Sequence, residues 1–155
     1  MDVQKKPDKS VYVAAPIVGI TETQEKQINA VIHQCIVQFG GKNVYCPASL
    51  RIPNAWNMPL NEWARCVFTN DVMEIDRSEI VVVCDYGRNA TAGTAWEAGY
   101  AFAKRSKVLV VQMPGVDEVS LMVRNGCAAV VDYNDFVNGR FSWPDYRNQS
   151  GVRQN

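Results

Sequence analysis

Two carboxylates set among apolar residues are the groups in this sequence best suited to chemistry. Glu97 is the only charge in Gly93-Thr94-Ala95-Trp96-Glu97-Ala98-Gly99-Tyr100-Ala101-Phe102-Ala103. Asp71 falls within a helical stripe of Leu60, Trp63, Ala64, Val67, Phe68, Val72 and Ile75. A carboxylate in such company must be hydrogen-bonded, paired or shifted in its proton affinity. Two of them at one apolar crevice suit acid/base or nucleophilic work on a sugar. Each also has a purely structural reading. Thr94-x-x-Glu97 fits a capping box, whose side chains satisfy backbone N–H groups at a helix start, and Asp71 can cap a neighbouring loop. Spacing alone leaves both readings open.

Other chemistries find less support. The single histidine, His33, lies beside the apolar face of a helix, where a structural role suits it better than a Ser/His/Asp triad. With no second histidine and no clustered Cys or Asp, a catalytic metal site is not expected. The glycines form neither GxGxxG nor a Walker loop, which disfavours classical dinucleotide or triphosphate binding. Lys+Arg and Asp+Glu both number 16, so no basic footprint marks a nucleic-acid polymer as partner. Cys35, Cys46, Cys66, Cys84 and Cys127 are scattered and odd in number, as free thiols in a reducing compartment would be. The N-terminus lacks an apolar h-region, and no apolar run approaches the roughly 20 residues of a membrane span. A soluble cytoplasmic protein without a membrane partner is expected.

The elements that must position the two carboxylates can be read in order. Strands are predicted at Val11–Ala15, Val44–Cys46, Ile80–Cys84, Lys107–Gln112 and Ala128–Val131. Helices are predicted over Glu22–Phe39, with Ile28, Val31, Ile32, Cys35, Ile36 and Phe39 at helical spacing, and over Leu60–Ile75. A third helix starts near Gly93 and carries Glu97, and a short one covers Val116–Val123. Near-continuous aliphatic strands alternating with helices predict a single doubly wound α/β domain over 1–155, its five-stranded, mainly parallel sheet covered by helices on both faces. Residues 1–10 and about 145–155 are expected to be flexible, and the polar, aromatic chain beyond Asn134 to end disordered. Tyr100 and Phe102 read as core.

In an open parallel sheet the ligand crevice lies at the carboxyl ends of the strands. The residues after Tyr12, the Pro47–Pro59 segment, the Asp85–Gly93 loop and the residues after Gln112 converge there. Pro47–Pro59, with three prolines, Trp56, Asn54 and Asn57, either covers a ligand site or is a surface connection that buries Trp56. Asn57 is its candidate substrate contact.

Four stretches in this order carry a family resemblance: Val11-Tyr12-Val13-Ala14-Ala15-Pro16, Asn70-Asp71-Val72-Met73-Glu74-Ile75, Gly93-Thr94-Ala95-Trp96-Glu97-Ala98-Gly99-Tyr100-Ala101 and Ser120-Leu121-Met122. Together they resemble the nucleoside 2-deoxyribosyltransferases over residues 11 to about 135. The resemblance implies a flavodoxin-like sheet and cofactor-free double displacement between a nucleoside or nucleotide and a free nucleobase. Glu97 would be the nucleophile, held ionised by the dipole at its helix start. Asp71 would hold the sugar hydroxyl side and help orient the nucleophile, and Tyr12 would contact the nucleophilic carboxylate. Thr91, Gly93, Ser120 and Met122 would bind substrate. Ser120 and Met122 occupy the place of Asn-x-Met, a segment that reaches a neighbouring subunit's site, which implies a homo-oligomer, dimer or higher.

Two positions depart from the transferase pattern: Thr91 stands where Asp is usual, and Ser120 where Asn is usual. A related branch, the nucleoside 5′-monophosphate N-glycosidases, has hydroxyl residues at both and holds a phosphate with them. Hydroxyls near a helix N-terminus suit an anion. The loop after Tyr12, however, lacks the arginine expected beside a phosphate. Deoxyribosyl transfer is therefore the first reading, hydrolysis of nucleoside 5′-monophosphates the second, and a non-catalytic nucleotide-binding module with Glu97 as a cap the third.

Overall fold

The computed structural model describes residues 10–40, 43–89 and 92–145. Five strands form one sheet: β1 (Val11–Ala14), β2 (Val44–Tyr45), β3 (Ile80–Asp85), β4 (Lys107–Gln112) and β5 (Ala129–Asp132). Their order is β2-β1-β3-β4-β5, and every pair is parallel. The chain turns back on itself between β1 and β3, the switch point at which such sheets open a crevice.

The strands are aliphatic on both sides because both sides are covered. Alternation sends Val11 and Val13 of β1 into one core and Tyr12 and Ala14 into the other. The first core is closed by α1 (Glu22–Phe39) and the short α5 (Tyr133–Val137), through Ile28, Val31, Cys35 and Phe136. The second is closed by α2 (Leu60–Arg77) and α3 (Ala92–Ala103), through Ile75, Ala98 and Ala101. α1 starts where expected: the Thr21 hydroxyl accepts from the Gln24 N–H while the Gln24 side chain accepts from the Thr21 N–H, a complete capping box. It stops at Gly40, whose φ of 100° lies outside the range of an L side chain in a helix. His33 is exposed on this helix instead of serving its packing.

α2 departs from its predicted role. Its apolar stripe was expected to face inward, yet Ile75 is its one buried residue, and Leu60, Trp63 and Phe68 are 75%, 40% and 55% exposed. The reason is length. Eighteen residues make a helix of about 27 Å at 1.5 Å per residue, whereas the four residues of β1 span about 13 Å at 3.3 Å each. The helix runs back against the strands, so its last turn lies over the sheet and its first turns overhang the carboxyl edge.

Two further expectations are corrected. The short helix predicted at Val116–Val123 forms instead as α4 (Leu121–Asn125). The preceding segment is pinned as a turn by the Gln112 side-chain amide donating to the Val116 carbonyl at 2.6 Å, with Gly115 at φ 82°. Phe102 is 61% exposed, and Tyr100 is half-buried with its hydroxyl donated to Asp76 at 2.8 Å. The chain beyond Asn134 packs on the fold as far as residue 145, and the ends expected to be flexible or disordered, residues 1–9 and 146–155, lie outside the described residues. Phe39, Phe141 and Trp143 cluster, and the Lys107 ammonium sits 4.0 Å above the Trp143 ring. Among the described residues, no helix is long and apolar enough to cross a membrane.

Candidate active site

The site starts from strand register. Tyr12 and Tyr45 are direct partners across the parallel β1–β2 pair, so their side chains rise from the same face. Their rings meet at 5.6 Å between centroids with a 38° tilt. The two hydroxyls then diverge to different helices. Tyr12 donates to Glu97 Oε1 on α3 at 2.5 Å, and Tyr45 donates to Asp71 Oδ1 on α2 at 3.3 Å. Asn70 Nδ2 donates in turn to the Tyr45 oxygen at 2.7 Å.

α3 can approach β1 this closely because the side chains it turns to the sheet are small: Thr94, Ala98 and Ala101 are its buried residues. The helix begins at Ala92, which corrects two expectations about Glu97. Thr94 lies inside the helix and cannot be its cap residue, so the capping box does not form. Glu97 sits in the second turn, beyond the reach of the dipole at the helix start. Burial instead pushes the Glu97 carboxyl up from its ordinary 4.5 to about 7. The Tyr12 hydrogen bond opposes that rise and the charge of Asp71 adds to it. The Asp71 carboxyl is also raised, mainly by burial, with Tyr45 and Asn70 opposing and Glu74 reinforcing. Burial, reinforced by Glu97, raises the Tyr12 hydroxyl, so it remains a donor.

Asp71 and Glu97 line one cleft of about 360 Å³ together with Trp63, Ala64, Val67, Phe68, Gly93 and Trp96. That volume lies within the range of small-molecule sites, roughly 300–1,000 Å³. The overhanging turns of α2 supply one wall. Trp96 supplies the other, packed on Phe68 at 5.3 Å and stacked on Tyr100 at 5.2 Å and 7°. Two carboxylates, a tyrosine donor on each of them and aromatic walls make a site that can bind a flat or ring-shaped ligand and attack it with an oxygen nucleophile.

The family model of the nucleoside 2-deoxyribosyltransferases matches residues 11–127. The chain belongs to this family. Solved structures agree in fold. A 2-deoxyribosyltransferase of the psychrotolerant bacterium Bacillus psychrosaccharolyticus is similar with a TM-score of 0.66 and 24% identity, over 83% of this chain and 90% of that one. A conserved protein of Enterococcus faecalis V583 is similar with a TM-score of 0.64 and 16% identity, over 84% and 95%. The CMP N-glycosidase BcmB of Clostridium botulinum is similar with a TM-score of 0.58 and 17% identity, over 84% and 96%. A search among curated proteins returns no match.

The expected site residues divide into four groups. Tyr12, Asp71, Glu97 and Gly93 come together at the cleft. Ser120 and Met122 do not: they line a second groove of about 410 Å³ on the other flank of α3, with Met122 84% exposed. Asn57 is exposed in a turn at Ala55–Asn57 and is not among the residues lining the Glu97 cleft. In the same turn Trp56 is 99% exposed, so the Pro47–Pro59 segment does not bury it. Thr91 lies outside the described residues. Sequence reasoning missed Tyr45 as a partner of the site and assigned Asn70 no role. The available signal was a tyrosine at the second position of each of two adjacent strands.

Proposed function

We propose that this family member transfers a 2-deoxyribosyl group between nucleobases by double displacement. The observation that carries the reading is the shared cleft of Glu97 and Asp71, with the Tyr12 hydroxyl on the Glu97 carboxylate. In the first step a Glu97 oxygen attacks the anomeric carbon, the bond to the base nitrogen breaks, and the base leaves with that electron pair and takes up a proton. In the second step a nitrogen of another base attacks the same carbon, displaces the Glu97 carboxylate and gives up its proton. Asp71 holds the sugar by a hydroxyl. The partners are small molecules, a nucleoside and a free base, and no cofactor takes part. A cytoplasmic homo-oligomer is part of the reading, with Ser120 and Met122 of one subunit serving the site of the next; their exposure on the far flank of α3 supports this.

A second acceptor is water, with a nucleoside 5′-monophosphate as substrate. The Ser120 hydroxyl in place of the usual Asn favours it. Incubating the protein with a deoxynucleoside or its 5′-monophosphate, with and without an acceptor base, separates the readings by chromatography. Base exchange from the nucleoside, lost in Glu97→Gln, supports transfer. Free base released only from the monophosphate replaces transfer with hydrolysis. Ligand-induced stabilisation without turnover of either compound leaves a binding module.

A further inference from the structure

The Tyr45 hydroxyl and the Asn70 amide have no part in the reaction as proposed, yet both bear on Asp71. Asn70 Nδ2 donates to the Tyr45 oxygen at 2.7 Å. A tyrosine has one proton to give, and with Asn70 occupying the oxygen as a donor, that proton points to Asp71 Oδ1, 3.3 Å away. The ring cannot swing aside easily. It is fixed by the Tyr12–Tyr45 register and lies against the Tyr12 ring. Asp71 itself faces the cleft beside Glu97.

We propose that Tyr45, steadied by Asn70, is a positioning residue that aims the Asp71 carboxylate into the cleft and keeps it an acceptor for a sugar hydroxyl. The inference rests on the reading in which Asp71 holds the sugar. It makes the site a matched pair: each of two adjacent strands contributes one tyrosine, and each tyrosine serves one carboxylate on a different helix. Tyr12 acts on the attacking group, and Tyr45 on the group that places the sugar before it.

The groups facing Asp71 set the direction of the test. They are Glu74 on its own helix, Tyr45 at the end of β2, Cys46 just after it, Tyr12 on β1 and Glu97 on α3. The two glutamates disfavour the Asp71 anion, Tyr45 and Asn70 favour it, and Cys46 carries no charge because burial raises its thiol. Removing only the Tyr45 hydroxyl therefore makes Asp71 take up its proton at higher pH. Mere loosening of the site would admit water and return both carboxyls downward towards their ordinary range. An Asp71 midpoint that rises is thus the signature of positioning.

The experiment is a carboxyl ¹³C NMR titration of the full chain as wild type and Tyr45→Phe, with Asp71 assigned through Asp71→Asn, together with kcat/KM on a deoxynucleoside. The expected result is an Asp71 midpoint that rises and a loss in kcat/KM of about tenfold, the size expected of a hydrogen bond to a charged group. In the Asp71→Asn background, Tyr45→Phe should then cost nothing further. An Asp71 midpoint that stays or falls overturns the proposal, as does a full additional loss in that background. If Tyr45→Phe fails to fold, Asn70→Ala carries the same titration with the same signs. Should the wild type turn over no substrate, the transferase reading falls, and the titration still decides whether Tyr45 acts on Asp71.

Discussion

The Tyr12 hydroxyl has two opposed effects on the proposed chemistry. Its hydrogen bond stabilises the Glu97 anion, which keeps a buried carboxyl ionised near neutral pH but also makes it a weaker nucleophile. Once Glu97 carries the sugar as an ester, that charge-assisted bond is lost, so the same hydroxyl favours expulsion of the carboxylate in the second step. Tyr12→Phe should therefore lower kcat/KM at pH 7 by about 10- to 100-fold, matching roughly 1.5–3 kcal/mol for a hydrogen bond to a charged group. The acid limb of its pH–rate profile should move up from the wild-type position near 7, and steady-state kinetics across pH 5–9 checks both. Stability runs the other way. Because burial raises Glu97 from 4.5 to about 7 in the folded protein, its contribution is intact below pH ~4.5 and is lost as pH rises through ~7. Glu97→Gln should accordingly be more stable than wild type at pH 8, by up to about 3 kcal/mol, and nearly equal to it at pH 4.5. Denaturant unfolding at the two values measures this, and a stability difference that does not change between them would overturn the buried-carboxylate account.

The elements that hold these residues were legible in the sequence to unequal degrees. α1 and β4 are found where the pattern puts them, because apolar residues at helical spacing and an unbroken aliphatic run are local signals. The same local pattern cannot say what an apolar stripe packs against, and α2 shows this. Trp63 and Phe68 belong to a stripe expected to face inward, but the strands beneath end before the helix does, and the stripe becomes the wall of a cleft. Tyr45 was illegible for a related reason: its partner Asp71 is 26 residues away, and only sheet register brings them together. For α3 the decisive feature is smallness. Ala101 is fully buried against the sheet, so Ala101→Leu should destabilise the fold by about 1–3 kcal/mol through overpacking. It should also lift Glu97 from Tyr12 and lower turnover more than stability alone explains. Equilibrium unfolding and kinetics on the same preparation separate the two effects.

Across the molecule, exposed apolar surface concentrates on the side of the sheet that carries the site. Leu60, Trp63, Phe68, Trp96, Phe102, Leu121 and Met122 are all exposed on α2, α3 and α4. Such concentrations mark interaction surfaces in soluble proteins. Sedimentation should accordingly find a dimer or larger assembly, and Met122→Lys should weaken it while leaving the far-UV spectrum unchanged. A wild type that sediments as a monomer at assay concentration would remove the shared-site arrangement. The opposite pole of the molecule is closed by Trp143, which packs on Phe39 and Phe141 under the Lys107 ammonium. The four tryptophans therefore fall into optically distinct classes: Trp63 and Trp96 at the cleft, Trp56 in water, and Trp143 in an aromatic pocket at the other end of the strands. Intrinsic fluorescence thus contains a built-in reference. A ligand in the cleft alters the emission of two indoles and leaves that of the fourth as an internal standard for whether the scaffold itself has moved.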